Sequence, residues 1–101
     1  GAPALLELPT DTPRPPVQSF RGSTVRFELN SALTEKLRGL ARCCESTLFV
    51  TLLSSFAVLL RRYTEAEDFV IGTPIANRTS EAIEPLIGFF VNTLALRIDC
   101  S

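Results

Sequence analysis

Between the polar pairs Ser46-Thr47 and Arg61-Arg62 the chain runs LFVTLLSSFAVLL, and no other stretch constrains the fold as much. Wound as a helix, Leu48 to Leu60 is apolar nearly all round. Its only polar members are small hydroxyls, which can bond back to the preceding turn. Such a helix belongs in the interior of a body. Ser46-Thr47 supplies its N-cap, and Arg61-Arg62 suits the negative carboxyl end. The stretch falls short of the ~20 apolar residues that span a bilayer, so a membrane helix is not expected.

The flanking elements follow from spacing. Asn30-Ser31 opens a shorter helix whose apolar residues Leu33, Leu37, Leu40, Ala41 and Cys44 recur at helical intervals. Gly39 weakens it by about 1 kcal/mol relative to alanine, unless close packing needs the glycine. Upstream, Thr24 to Leu29 (TVRFEL) alternates and predicts a half-exposed strand. Downstream, Asp68 to Ile71 is a continuous apolar strand expected to be covered on both faces, with Gly72 and Pro74 ending its regular pairing. TSEAIEP predicts one helical turn stopped by Pro85. The final strand lies within LIGFFVNTLALR, Leu86 to Arg97. One face reads Phe90, Asn92, Leu94, Leu96 and Ile98, and the other Phe89, Val91, Thr93, Ala95, Arg97 and Asp99. Its first half is expected to be buried on both sides and its second half to have one wet face.

Residues 1–22 read as a linker, because Pro9, Pro13, Pro15 and Pro16 forbid helix and favour polyproline II. Gly1-Ala2 fits a cloning remnant. Pro13 to Pro16 also fits PxxP, an SH3-type ligand, but a stiff connector lying on a neighbouring surface is the preferred reading. The expected order is β-α-α-β-β after the linker, an α/β fold over residues 23–101. With 101 residues, 46% of them hydrophobic, the chain is one small domain or a piece of a larger one. One helix and one strand want cover on every side, and three strands and two helices do not supply it. The chain reads as part of a larger body.

Several chemistries are not expected. Ten Lys and Arg against eleven Asp and Glu give a net charge of −1, no footprint for nucleic acid or anionic lipid. Without any histidine there is no imidazole base and almost nothing to build a metal site from. Cys43, Cys44 and Cys100 lack chelating spacing and read as ordinary thiols of a reducing, cytosolic protein. The scattered glycines form no phosphate-binding loop. Asn77-Arg78-Thr79 matches a glycosylation sequon, read here as chance. Glu65, Glu67 and Asp68 read as a solvated acidic turn rather than a carboxylate pair, and Glu81 and Glu84 likewise. Residue chemistry alone does not describe an enzyme that stands by itself.

Two segments are more specific. EDFVIGTPIANR (Glu67–Arg78) and PLIGFFVNTLALR (Pro85–Arg97) strongly resemble the two late core motifs of nonribosomal peptide synthetase condensation domains. TLFVTLLSSFAVLLRRYT looks like that family's long buried helix, and LPTDTPRP is similar to the proline-rich stretch before its second lobe. The resemblance covers nearly the whole chain in the family's order. It implies a two-lobed fold related to chloramphenicol acetyltransferase, of which this sequence is the front part of the C-terminal lobe. The implied chemistry is amide formation between thioesters held on carrier-protein phosphopantetheine arms. The family's HHxxxDG signature, from the first lobe, has no counterpart here, so no catalytic residue is assigned and no cofactor is expected on this chain. The implied partners are the missing N-terminal lobe and carrier proteins.

Under that resemblance Thr73, Arg78, Asn92 and Thr93 are the candidates for the substrate tunnel or the contact between lobes. Asn92 and Thr93 either offer hydrogen bonds to substrate arms or satisfy the backbone of a loop such as Gly72–Arg78, the second being preferred. A buried Asn92 would need partners either way, since an unpaired one costs roughly 1–3 kcal/mol. Arg78 either bridges to a carboxylate across the lobes, the preferred role, or meets a phosphopantetheine phosphate. The family usually has glycine near Glu65, in RYTGxxD, where this chain has RYTEAED. A second reading, from another class, is a non-catalytic interaction module that forms a homodimer through its exposed sheet and helix. Epimerisation and cyclisation domains share the fold and stay open.

Overall fold

The structure, a computed structural model, describes residues 1–76 and 91–101. Its elements run helix, helix, strand, strand: α1 (Ser31–Cys43), α2 (Leu48–Thr64), β1 (Asp68–Ala76) and β2 (Val91–Asp99). Both helices begin where the sequence supplies a cap. The Asn30 side-chain oxygen accepts from the Leu33 amide at 2.8 Å, and the Thr47 hydroxyl oxygen accepts from the Val50 amide at 3.2 Å. At the far end of α1, the amides of Glu45 and Ser46 bond back to the Arg42 and Ala41 carbonyls with Glu45 at φ 50°. That is the left-handed closure by which helices commonly stop. The α2 C-cap, Glu65, adopts φ 57° and donates its amide to the Arg61 carbonyl. Between the helices the path bends by 103°.

β1 and β2 pair antiparallel in unbroken register, from Asp68 opposite Asp99 to Ala76 opposite Val91. Gly72 and Pro74 therefore do not end the pairing, contrary to the sequence expectation. In a two-stranded sheet each strand has an open side, where a proline lacking N–H forfeits no ladder bond. Nor is β1 covered on both faces. Phe69 is 1% exposed, but its neighbour Val70 faces out at 39%.

The expected strand at Thr24–Leu29 does not form. The segment lies outside regular structure, with Val25 84% and Phe27 81% exposed. Alternation marks a segment able to pair, but a strand needs a neighbour, and none lies beside it among the described residues. The expected turn in TSEAIEP falls outside those residues, as do Phe89 and Phe90.

The core is small. Ala57 and Leu60 of α2 meet Phe69 of β1, with Leu6, Ala66, Ile71, Ile98 and Cys100 packed around them. Leu6 thus lays part of the proline-rich segment against this cluster. The rest of α2 is largely bare: Phe49, Val50, Leu52, Phe56, Val58 and Leu59 are all exposed. The chain's accessible surface is 9024 Å². A compact monomer of 11.1 kDa would show about 5,700 Å². Its radius of gyration is 17.4 Å, against roughly 13 Å for a compact chain of this length. The interior helix of the sequence is thus an interior helix without most of its interior.

Candidate functional site

Pairing fixes which side chains share a face of the β1–β2 hairpin, because directly opposed residues project to the same side. Phe69, Ile71, Thr73 and Ile75 share one face with Asn92, Leu94, Leu96 and Ile98. Val70, Gly72 and Pro74 share the other with Thr93, Ala95 and Arg97. Of the four candidate residues, the structure brings Thr73 and Asn92 together as diagonal neighbours and turns Thr93 away from them. Arg78 lies outside the described residues.

Asn92 is exposed, not buried, and its side-chain oxygen accepts from the Thr93 amide at 2.9 Å. It therefore serves its own backbone. Asn92 and Thr93 open the half of the strand expected to have one wet face, and both are exposed. The half expected to be covered on both sides lies outside the described residues as far as Phe90. On Thr93's side the approach is close. A Cβ added to Gly72 would come within 3.2 Å of the Thr93 methyl, so this cross-strand contact is tight with glycine and tighter with any other residue.

The opposite end of the hairpin is fastened electrostatically. Arg97 grips Asp68 through two hydrogen bonds, and Arg61 of α2 reaches Glu67 at 2.8 Å. The acidic turn expected to be merely solvated is ion-paired on both sides, to the helix before it and to the strand across from it. The guanidinium of Arg97 lowers the Asp68 pKa chiefly by hydrogen bonding, and Asp68 raises that of Arg97 in return. Asp99 is lowered through hydrogen bonds from Ser101. These shifts belong to paired surface groups at a structural joint. They are not the signature of a proton-transferring site, where burial and like charges separate the pKa values.

A shallow groove of about 350 Å³ lies in the elbow between α1 and α2, lined by Leu40, Cys44, Val50 and Val58 with intervening hydroxyls. Two of those hydroxyls bond within α2: Thr51 donates to the Thr47 carbonyl and Ser55 to the Thr51 carbonyl. The groove is a packing surface rather than a reaction vessel. Cys43, Cys44 and Cys100 are free thiols. No group of three or more potential metal ligands occurs among the described residues, and no single helix there is long and apolar enough to cross a membrane.

A family model, the condensation domain, matches residues 2–101. Tyrocidine synthase 3 of Brevibacillus parabrevis is 50% identical over 93 residues, which are 92% of this chain and 1% of that synthase. Malpinin synthetase of Mortierella alpina is 52% identical over 101 residues, covering 100% of this chain and 1% of its own length. Phosphinothricin tripeptide synthetase PhsC of Streptomyces viridochromogenes is 49% identical over 98 residues, 97% of this chain and 9% of the synthetase. Among solved structures, the crystal structure of a four-domain nonribosomal peptide synthetase bound to AMP and glycine superposes with a TM-score of 0.93 at 38% identity. It matches 99% of this chain over 8% of its own. The chain spans a small fraction of each of these relatives.

Proposed function

The chain belongs to the condensation domain family, and on that premise we propose that it is a section of the C-terminal lobe of an amide-forming condensation domain in a nonribosomal peptide synthetase. The carrying observation is the match of 99% of the chain, at a TM-score of 0.93, to 8% of a nonribosomal peptide synthetase chain. The bare surface of α2 and the excess accessible area support the same reading: the section has its own helices and hairpin but lacks the body that covers them. The parent lobe is of the chloramphenicol acetyltransferase-like type and acts in the cytosol on substrates carried by phosphopantetheine arms.

In that reading the chain contributes a wall rather than the chemistry. It holds no histidine, so the general base comes from the other lobe. Thr73 and Asn92, paired diagonally on one face, present a hydroxyl and an amide where a tethered amide-containing arm passes. Thr93 packs on Gly72 and sets the hairpin's twist. Arg78 bridges to the facing lobe. The test is to place residues 1–101 in the equivalent section of tyrocidine synthase 3. Peptide synthesis should persist, and Thr73→Ala and Asn92→Ala should slow it without lowering the melting temperature. A graft that folds but forms no peptide bond would sink the reading.

A further inference from the structure

From Gly1 to Leu33, Leu6 is the one residue withdrawn from water. Its neighbours Leu5 and Leu8 stand 68% and 41% exposed, so the inward turn is particular to Leu6. Its seat is made by Ala57 and Leu60 of α2 and Phe69 of β1. That seat lies at the joint fastened by Arg61–Glu67 and Arg97–Asp68, where the Cys100 amide also donates to the Glu67 carbonyl at 2.7 Å. Pro3 and Pro9 bracket the contact and restrict the backbone on either side. Beyond it, residues 7–30 run to the cap of α1 without regular structure. We propose that Leu6 is a positioning residue that ends the connection from the preceding lobe by fastening it to the joint of α2 and the hairpin. Residues 7–30 are then a loop closed at both ends, not a length of tether. The proposal rests on the reading of the chain as a section of a condensation-domain lobe.

The seat does not depend on the surfaces left bare elsewhere. The superposition on the four-domain synthetase takes in 99% of the chain at a TM-score of 0.93. Residues 1–22 are about a fifth of the chain, and a score that high leaves no room for a fifth of it to run another way. In that solved synthetase the corresponding segment therefore follows the same course to the same joint. The proposed chemistry makes the place of fastening count. The chain holds no histidine, so the base stands on the other lobe, while Thr73 and Asn92 stand on the hairpin face that begins at Phe69. Groups divided between two bodies act together only at a fixed spacing, and an error near 1 Å can cost about 100-fold in rate. A tether that ends at Leu6 holds that spacing, whereas one running on to Asn30 would leave the lobes loosely joined.

The test uses tyrocidine synthase 3 carrying residues 1–101 in its equivalent section. One fluorophore sits at Lys36 of α1 and another on the preceding lobe, and single-molecule energy transfer reads the distance between them. Two glycines inserted between Pro3 and Ala4 lengthen the tether by up to about 7 Å. They should broaden the distance distribution and slow peptide-bond formation by about tenfold or more. Two glycines inserted between Gly22 and Ser23 enlarge only the closed loop and should change neither, because a loop already long tolerates extension. Leu6→Asp should act like the first insertion, and Leu6→Met and Leu5→Asp like the second. Equal effects of the two insertions, or none from the first, would overturn the proposal. So would a Leu6→Asp protein with a lowered melting temperature and an unchanged distance, the mark of a merely structural leucine. The distance is read whether or not peptide forms, so a folded but inactive graft counts against the proposed function and leaves this test standing.

Discussion

Arg97 clasps Asp68 across the open end of the hairpin, Nε to Oδ1 at 2.9 Å and Nη2 to Oδ2 at 2.6 Å. The two residues are 29 positions apart in sequence and diagonal in the register, since Asp68 faces Asp99 and Val70 faces Arg97. A bidentate fork of this kind holds strands in phase as well as attracting them. With Arg61 drawing Glu67 toward α2, the turn between helix and strand is held from two directions.

The pair carries a pH dependence. Hydrogen bonding from Arg97 is the main cause of the lowered Asp68 pKa, outweighing desolvation, which acts the other way. The folded value therefore lies below the unfolded one of about 3.9. Stability from the pair is present above that unfolded value and is lost as pH falls through the folded one. Asp68→Asn should melt below the native chain at neutral pH, modestly for so exposed a pair, and the two melting curves should converge in acid. Thermal circular dichroism over a pH series measures both. An equal gap at neutral and acid pH would assign the loss to something other than the ion pair.

Helix ends were legible because caps are local. Asn30 and Thr47 announce α1 and α2 from within a few residues, and the rhythm between them needs no partner to be recognised. The hairpin was legible only in part. Alternation located β2, but Pro74 argued for a break in β1 that an open strand edge renders unnecessary. TVRFEL carries a strand's pattern without a strand's neighbour, and pairing is not a property of one segment. Asp68 and Arg97 could not be matched without the register. Alternation alone set Thr93 on the opposite face from Asn92, but that Thr73 shares the face of Asn92 follows only from the pairing of Thr73 with Leu94 and Ile75 with Asn92.

Glu65 stands in the left-handed region at φ 57°, and Glu45 at φ 50°. An L-residue pays roughly 1–2 kcal/mol there, and glycine does not, though glycine also gains freedom in the unfolded chain. Glu65→Gly should raise stability by about 0.5–1 kcal/mol, and Glu45→Gly by a similar amount. Urea unfolding is the measurement, with Glu65→Ala as the control that should gain nothing. The glycine usual near this position in the condensation domain family then has a conformational cause.

Gly39 lies within α1, and a Cβ built there would meet nothing within 4 Å. Close packing does not require the glycine in this chain. Gly39→Ala should therefore stabilise α1 by about 1 kcal/mol, seen as a higher urea midpoint with an unchanged slope. The same substitution in a full synthetase probes whether another layer approaches α1 at that point: a loss of stability there would locate one.

The unpaired Thr24–Leu29 segment has a consequence in time. α1, α2 and the hairpin close through neighbours near in sequence, so they can assemble as the polypeptide leaves the ribosome. Val25 and Phe27 pair with no strand among the described residues, and any pairing with a strand distant in sequence carries the entropic cost of closing a longer loop. Until that happens the segment keeps its amides and carbonyls available to whatever edge arrives first. The segment is therefore open to mispairing after the helices have formed and until a strand takes it in.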